Sequence, residues 1–214
     1  MLSGEFTGTS FKANNVWNID KSKIKSIFAE DGVTFTGDCT SMFSELSSCE
    51  SIDLSNVDAE NVTNMAGMFR SCTALKLVDV SGFDTSNVKN MNTMFYNCTS
   101  LTSIDVSSFD TSNVGCMSGM FYSCSALTSL NLSGFNMSKV TRYSAIDMLN
   151  KCSALKELTI SENCTNGIWN MMHLSNGQNN NGWCVKGSTT KVSGNGAYAI
   201  IAAPNKTTTY ALLG

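Results

Sequence analysis

Proline and histidine are nearly absent from this chain, which has one of each among 214 residues. The single histidine, His173, leaves no second imidazole for a zinc site, and no Cys-x-x-Cys spacing occurs. The motifs of serine hydrolases, phosphate-binding loops and zinc proteases are also missing. The sequence therefore predicts that the protein is not an enzyme and needs no cofactor.

Charge and long apolar runs are scarce too. Asp, Glu, Lys and Arg make up 14% of the chain, with a net charge of -3 and no basic stripe, so nucleic acid is not an expected partner. No apolar run approaches the ~20 residues of a membrane span, which predicts no membrane insertion. The first residues, MLSGEFTGTSFKANN, lack a signal peptide. Either the chain is not secreted by that route, or it is a fragment of a longer protein.

The chain is instead rich in Ser, Thr and Asn, and it repeats a 26-residue phrase. MFRSCTALKLVDVSGFDTSNV (68–88) returns one period later as MFYNCTSLTSIDVSSFDTSNV (94–114). We expect an N-terminal capping coil at 1–41, a repeat array at 42–164 and a β-rich C-terminal cap at 165–214. Five repeats fill the array, of which the fourth has 28 residues and the fifth is partial.

The repeat predicts stacked coils around one core. In the central copy Ile104 and Val106 alternate with Asp105, which is typical of a strand over 101–107. Stacked copies would form a parallel sheet with strands ~4.8 Å apart, each coil covering its neighbour. The Met-x-x-Met-Phe-x-x-Cys segment has helical spacing and predicts a short helical or 3₁₀ turn. The expected fold class is an α/β-type repeat solenoid. The residues expected to be buried in this copy are Met94, Phe95, Cys98, Leu101, Ile104, Val106, Phe109 and Val114.

The pattern MF-x-x-C-x-x-L-x-x-[IL]-D-[LV]-S-x-F-D-T-S-N-V-x-x-M covers about residues 33 to 163. It resembles the 26-residue repeat of bacterial surface proteins and lipoproteins, the BspA-type leucine-rich repeats. The resemblance implies an LRR-like right-handed coil stack, adhesion to host or matrix proteins, and no catalytic residue to carry over. Two extra residues around 143–146 depart from the pattern, and we expect a local bulge there.

Four of the nine cysteines share one column of the repeat: Cys72, Cys98, Cys124 and Cys152. One coil spacing lies inside the ~4.4–6.8 Å between the Cα atoms of a disulfide, so distance alone permits pairing. However, each copy keeps a single cysteine amid Phe and Leu, as expected of a small buried apolar residue. We expect free thiols in this column, and Cys164 and Cys184 could meet in the C-terminal cap.

Aspartates form two further columns, one along the strands and one in the turns: Asp53, Asp79 and Asp105, and Asp58, Asp84 and Asp110. Unit charges ~4.8 Å apart repel by roughly 0.9 kcal/mol in water, so something must offset the repulsion. Neighbouring hydroxyls and backbone N–H groups are the favoured partners. Bound Ca²⁺ at Asp84 and Asp110 is the alternative.

The C-terminal cap supplies large aromatic residues that the sheet face lacks, and Trp169, Trp183 and Tyr198 lie there in an Asn- and Gly-rich context. Interfaces draw most of their binding energy from a few aromatic or Arg anchors. We therefore predict that the 165–184 segment contributes more to ligand recognition than the sheet positions Asp79 and Asp105. In the competing interpretation, the two tryptophans only seal the last coil.

These observations predict a non-enzymatic binding or adhesion module at the cell surface or outside the cell. Its expected partner is a protein or glycan on a host or target cell. The alternative is a receptor-binding or tip domain of a phage tail or secretion assembly, which accounts better for the missing signal peptide and would permit an oligomer. An enzyme is the third hypothesis.

Overall fold

The computed structural model of the chain describes residues 5–7, 20–164, 174–175, 182–192, 198–199 and 204–213. These residues form a β-solenoid with twelve strands and two short 3₁₀ helices, Lys21–Lys23 and Arg142–Ala145. The first six strands are β1 Glu5–Thr7, β2 Ser26–Phe28, β3 Thr34–Asp38, β4 Ser51–Asp53, β5 Asp58–Asn64 and β6 Leu77–Asp79. The remaining six are β7 Ser129–Leu132, β8 Glu157–Ile160, β9 Leu174–Ser175, β10 Trp183–Val185, β11 Tyr198–Ala199 and β12 Thr208–Leu212. Within this part of the chain, no helix has the length and apolarity that a membrane span requires.

Parallel strands stack with the period of the sequence, as predicted. Two three-stranded parallel sheets have the orders β1-β3-β5 and β2-β4-β6. Ile52 of β4 pairs with Val78 of β6, one repeat later. Leu130 of β7 likewise pairs with Leu158 of β8, although that repeat has 28 residues. The 3₁₀ helix Arg142–Ala145 takes up the two extra residues, so the register of the sheet is kept.

The C-terminal cap continues the last sheet with antiparallel strands. β12 pairs with β8 on one side and with β10 on the other, which gives the order β10-β12-β8-β7. The chain therefore changes strand direction where the repeats end. The predicted β-rich character of this region is seen in its described strands β9 to β12.

The short helical or 3₁₀ turn predicted for each repeat is present mainly as isolated turns with hydrogen bonds to the third residue before. Residues 66–71 form consecutive turns, and the described residues contain no α-helix. The N–H of Arg70 donates within its coil to Gly67 (2.9 Å), whereas the N–H of Phe69 donates to Met94 in the next coil (2.9 Å). Gly67 and Ser71 have φ values of 62° and 61°, which an α-helix does not allow. The same two columns are left-handed in the other repeats, at Ser41, Glu45, Thr93, Asn97, Gly119, Ser123, Asp147 and Lys151. The expected α/β class is therefore corrected to a β-solenoid.

The core is a continuous column of apolar side chains from the stacked coils. Its centre is a stack of Phe43, Phe69, Phe95 and Phe121, whose neighbouring ring centres lie 5.2 to 5.7 Å apart. Of the eight residues expected to be buried in the central copy, seven are buried. The exception is Ile104, which is half-buried against the core.

Ile104 departs from the prediction because the sheet is interrupted at its coil. Residues 101–106 form no strand, so the predicted strand is wrong for this copy alone among the five. In the preceding coil Gly82 approaches the backbone so closely that a Cβ there would lie 2.1 Å from the carbonyl oxygen of Ser55. Ser108 occupies that column in the central coil, but Asn56 and Glu162 occupy it in the first and fifth copies, which do form strands, so this column does not explain the interruption. A cavity of about 270 Å³ opens between β6 and residues 103–105.

Candidate ligand-binding surface

The cap aromatics are only partly within the described residues. Trp183 has 0% exposure and belongs to the core, as the competing interpretation expects, and its role in ligand recognition stays a prediction. Trp169 lies outside the described residues. Tyr198 pairs with Ser175 in the short sheet of β9 and β11, and its side chain also lies outside what the structure describes.

The predicted sheet positions Asp79 and Asp105 come together, because both line the cavity at the sheet interruption. Asp79 accepts hydrogen bonds from the N–H (3.0 Å) and hydroxyl (2.7 Å) of Ser81. Hydrogen bonds from the side chain and backbone of Ser107 lower the pKa of Asp105. Leu77, which is 61% exposed, gives the cavity an apolar lip. The carboxylates are thus held in their own turns beside an apolar surface.

The turn column shows the same arrangement. Asp84 and Asp110 each accept a hydrogen bond of 2.9 Å from the N–H two residues later, at Ser86 and Ser112. The bond from the backbone of Ser86 is the main cause of the lowered pKa of Asp84. Nowhere in the described ranges do three His, Cys, Asp or Glu side chains converge as a metal site. The Ca²⁺ alternative stays a prediction that has no ligand set in these ranges.

The rest of the repeated phrase ties coils together. The hydroxyl of Thr85 donates to the carbonyl of Asp110 in the following coil (2.9 Å). The side-chain amide of Asn87 donates to the carbonyl of Glu60 in the preceding coil (2.9 Å). Thr111 and Asn113 repeat both bonds one coil later. The Phe-Asp-Thr-Ser-Asn-Val segment is therefore structural, because its side chains form turns and hydrogen bonds between coils.

The thiol column is buried and unpaired, which confirms the prediction of free cysteines. Cys98 donates to the carbonyl of Phe69 at 3.1 Å, and the other column thiols bond in the same way to the preceding coil. Burial raises the pKa of Cys72 and Cys152 to about 12, so these thiols stay protonated and weakly nucleophilic. Cys164 and Cys184 form no disulfide with each other.

A row of aromatic and cationic side chains crosses the turn segments on the outside of the coils. Tyr96 and Tyr122 stack with ring centres 4.7 Å apart and planes 4° apart. The guanidinium carbon of Arg70 lies 5.3 Å from the centre of the Tyr96 ring, and the ammonium of Lys151 lies 5.1 Å from that of Tyr122. We call these four residues the tyrosine row.

A shallow pocket of about 450 Å³ lies beside the two rings. Besides the tyrosines, its lining consists of Thr93, Ser118, Gly119, Ile146 and Asp147. A Cβ added at Gly119 would lie 3.4 to 3.7 Å from the side chains of Thr93, Tyr96 and Tyr122, so the glycine keeps the floor of the pocket open. Hydroxyl, aromatic and carboxylate groups therefore meet in one accessible concavity.

Sequence reasoning missed the tyrosine row, although a signal was present. The position two residues after the repeat Met reads Ser44, Arg70, Tyr96, Tyr122 and Asn150, so it varies while the residue before it is Phe in four of the five copies. In stacked coils a variable column becomes a line of adjacent side chains on the surface. Two successive tyrosines after an arginine were the recognisable feature.

The fold and this surface define a β-solenoid repeat protein with an aromatic and cationic row along its coils. The chain belongs to the family described as "Mycoplasma protein of unknown function, DUF285", which matches residues 37–175. The match includes all five repeats and the complete tyrosine row. A search of curated proteins and a search of solved structures gave no match.

Proposed function

We propose that this chain is a non-enzymatic binding module of a bacterial cell-surface or secreted protein, and that it recognises a protein or glycan ligand through the tyrosine row. The stacked Tyr96 and Tyr122 between Arg70 and Lys151 carry the proposal. Tyr and Arg are the residue types that most often dominate binding energy at interfaces. The resemblance to BspA-type surface repeats supports the same role.

The rigidity of the row favours binding. Backbone bonds between coils fix the ring spacing, since Phe95 N–H donates to Met120 (2.8 Å) and Asn97 N–H donates to Tyr122 (2.7 Å). The rings are half-buried and stacked, so their side chains have little rotamer freedom to lose. A preorganised surface loses less entropy when a ligand binds, and affinity rises accordingly.

The reactive groups of the repeats have structural partners instead. The column thiols donate to phenylalanine carbonyls, and the column aspartates accept hydrogen bonds from the residue two positions later, which is serine except at Glu60. Catalytic acid–base pairs need two different environments that push their pKa values apart, whereas these rows repeat one environment. This arrangement supports a binding role over a catalytic one.

The experiment is a binding screen with the full chain, carrying a fluorescent label, on panels of matrix proteins and glycans and on intact host cells. The test variant is Tyr96→Ala with Tyr122→Ala, and the matched control is Leu77→Ala on the exposed strand face. We expect the double variant to bind at least tenfold more weakly, because hot-spot aromatics contribute about 2 kcal/mol or more each. The control should bind like the parent chain.

Two results would overturn the proposal. The first is a folded chain, checked by circular dichroism, that binds no probe and no cell. The second is unchanged binding by the Tyr96→Ala, Tyr122→Ala variant together with lost binding by Leu77→Ala. That second result would move the site to the cavity at the sheet interruption.

A further inference from the structure

The tyrosine row presents the edges of its rings and not their faces. Tyr96 and Tyr122 cover one face of each other at 4.7 Å, and the cations of Arg70 and Lys151 lie over the outer faces. Ring edges carry the positive part of the aromatic quadrupole. The row therefore presents groups that attract an anion. These are the ring edges, the phenol hydroxyls as hydrogen-bond donors and a cation at each end. A neutral sugar, which stacks on ring faces, has no free face here.

The row is also long and straight. Its members come from four successive coils, and three spacings of about 4.8 Å place the two cations roughly 14 Å apart. The hydroxyl-bearing Thr93 and Ser118 lie along the pocket between these ends. This geometry suits a linear ligand that runs parallel to the stacking axis and carries acidic groups separated by hydroxyl groups.

The backbone beneath the row favours a glycan over a peptide. Peptides that lie along a surface commonly gain affinity from main-chain hydrogen bonds to an open strand edge. Here the N–H of Thr93 already donates to Ser118 (2.8 Å), and the N–H of Gly119 donates to Ile146 (2.9 Å). A ligand must therefore bond to side-chain hydroxyls and cations, which a polyhydroxylated acidic chain matches.

Asp147 is the anionic group of the pocket. Its carboxylate accepts a hydrogen bond from the side-chain amide of Asn150 at 3.0 Å. An acidic group of the ligand would be repelled at this point and attracted at either end. Asp147 therefore sets where the ligand's charges lie, and it lowers the affinity for an anionic chain.

We infer that the tyrosine row binds an extended acidic polysaccharide, whose carboxylate or sulfate groups meet Arg70 and Lys151 while its hydroxyls bond Thr93 and Ser118. The inference rests on the proposed function and narrows its ligand class.

The test measures binding of the full chain to four labelled probes of matched length by fluorescence anisotropy. These are a hyaluronan oligosaccharide with carboxylates, a heparin oligosaccharide with sulfates, a neutral chito-oligosaccharide and a poly-glutamate peptide. We expect binding to at least one acidic glycan, weakened by added salt, and much weaker binding to the neutral glycan and the peptide. Whichever acidic glycan binds more tightly identifies the preferred acid.

The variants separate this ligand from others. Arg70→Gln and Lys151→Asn should each weaken acidic-glycan binding about tenfold, because each loses a charged hydrogen bond. Asparagine is chosen at 151 because it tolerates the φ of 63° there. Asp147→Asn should strengthen binding severalfold, since it removes a repelling charge and keeps the acceptor for Asn150. Lys76→Gln, which removes a cation outside the row, next to β6 and paired with Glu50, is the matched control and should leave glycan binding unchanged.

The inference is overturned if neither acidic glycan binds, if Arg70→Gln and Lys151→Asn bind it like the parent chain, or if Asp147→Asn weakens binding. In each of these cases the proposed function survives if the chain binds a neutral glycan or a protein through Tyr96 and Tyr122. It fails separately if the folded chain binds no probe, matrix protein or cell.

Discussion

Phe69 and Phe95 lie face to face in neighbouring coils, with ring centres 5.2 Å apart and planes 9° apart. Phe43 and Phe121 extend this stack in both directions. Each inner ring therefore packs against the same residue type above and below. A coil contributes little core of its own, and the stability of the array lies in the contacts between coils.

Phe95→Ala should lower the free energy of unfolding by about 3–5 kcal/mol. The ring has 0% exposure, and its removal leaves a cavity between Phe69 and Phe121. Urea unfolding followed by circular dichroism measures the loss. Tyr96→Ala, at the next residue on the half-buried outer side, is the control and should cost much less. Equal losses in the two variants would contradict the packing described here.

Gly82→Ala should destabilise the fold by about 1–3 kcal/mol, because the added Cβ meets backbone that cannot rotate away. The oxygen of Ser55 would lie 2.1 Å from this Cβ. Gly134 occupies the same column two coils later, where a Cβ would lie 3.6 Å from the oxygen of Ser107. Gly134→Ala should therefore be tolerated, and thermal unfolding of the two variants provides the comparison. A Gly82→Ala variant as stable as Gly134→Ala would refute the close approach.

Thr93→Gly should stabilise the protein by about 0.5–1 kcal/mol. Left-handed backbone is strained for a β-branched residue, and the relief of this strain exceeds the entropy that glycine adds to the unfolded state. Thr93 has φ 54°, and the same column holds glycine at Gly67 and Gly119. Thr102→Gly is the control: this exposed residue has no positive φ, so the change should destabilise. The melting temperatures of both variants test this prediction. A melting temperature of Thr93→Gly below that of the parent chain would show that the contacts of the Thr93 hydroxyl or methyl stabilise the fold more than the strain destabilises it.

The stability of the fold should fall as the pH rises above about 9. Burial raises the pKa of Cys39, Cys72, Cys152 and Cys164 to about 12. A thiol in the unfolded chain has a pKa of about 8.5. Below that pH both states keep the proton, and the stabilisation is complete. Between the two pKa values only the unfolded state releases it, so each thiol lowers the free energy of unfolding by about 1.4 kcal/mol per pH unit.

Urea unfolding at about pH 8, 9 and 10 in reducing buffer tests this dependence. Cys72→Ala should lower the free energy of unfolding at every pH. With rising pH, however, the free energy of unfolding of this variant should decline less steeply than that of the parent chain, because one buried thiol is missing. Parallel curves for the parent and the variant would show that the buried thiol does not control the pH dependence.

The parallel sheets were predictable because two signals agreed. Ile52, Val78, Leu130 and Leu158 alternate with polar residues, and they recur at the repeat period, so both strand direction and register followed. The interruption at Ile104 was not predictable, because residues 101–106 have the same alternation of apolar and polar residues as the copies that form strands.

The turn segments were predicted only in part, and the reason is physical. Met65, Met68, Phe69 and Cys72 have helical spacing, and all four are buried, so the apolar pattern was correct while the backbone was not. Backbone N–H groups that would donate within a helix donate instead to the next coil, as the N–H of Met65 does to the carbonyl of Asn90 (2.9 Å). Trp183 and the tyrosine row follow the same rule, since burial and adjacency across coils are set by long-range stacking.

The uniform period also affects how the length of the array can change. Loss of one whole unit would leave the interior columns of the remaining coils aligned. The two cations of the tyrosine row would then approach by one coil, about 4.8 Å, while the hydrophobic interior stays closed. Unit number could thus alter the reach of the surface in discrete increments, separately from the stability of each coil. A change in the number of units would therefore change the length of the exposed surface without changing the contacts between the remaining coils.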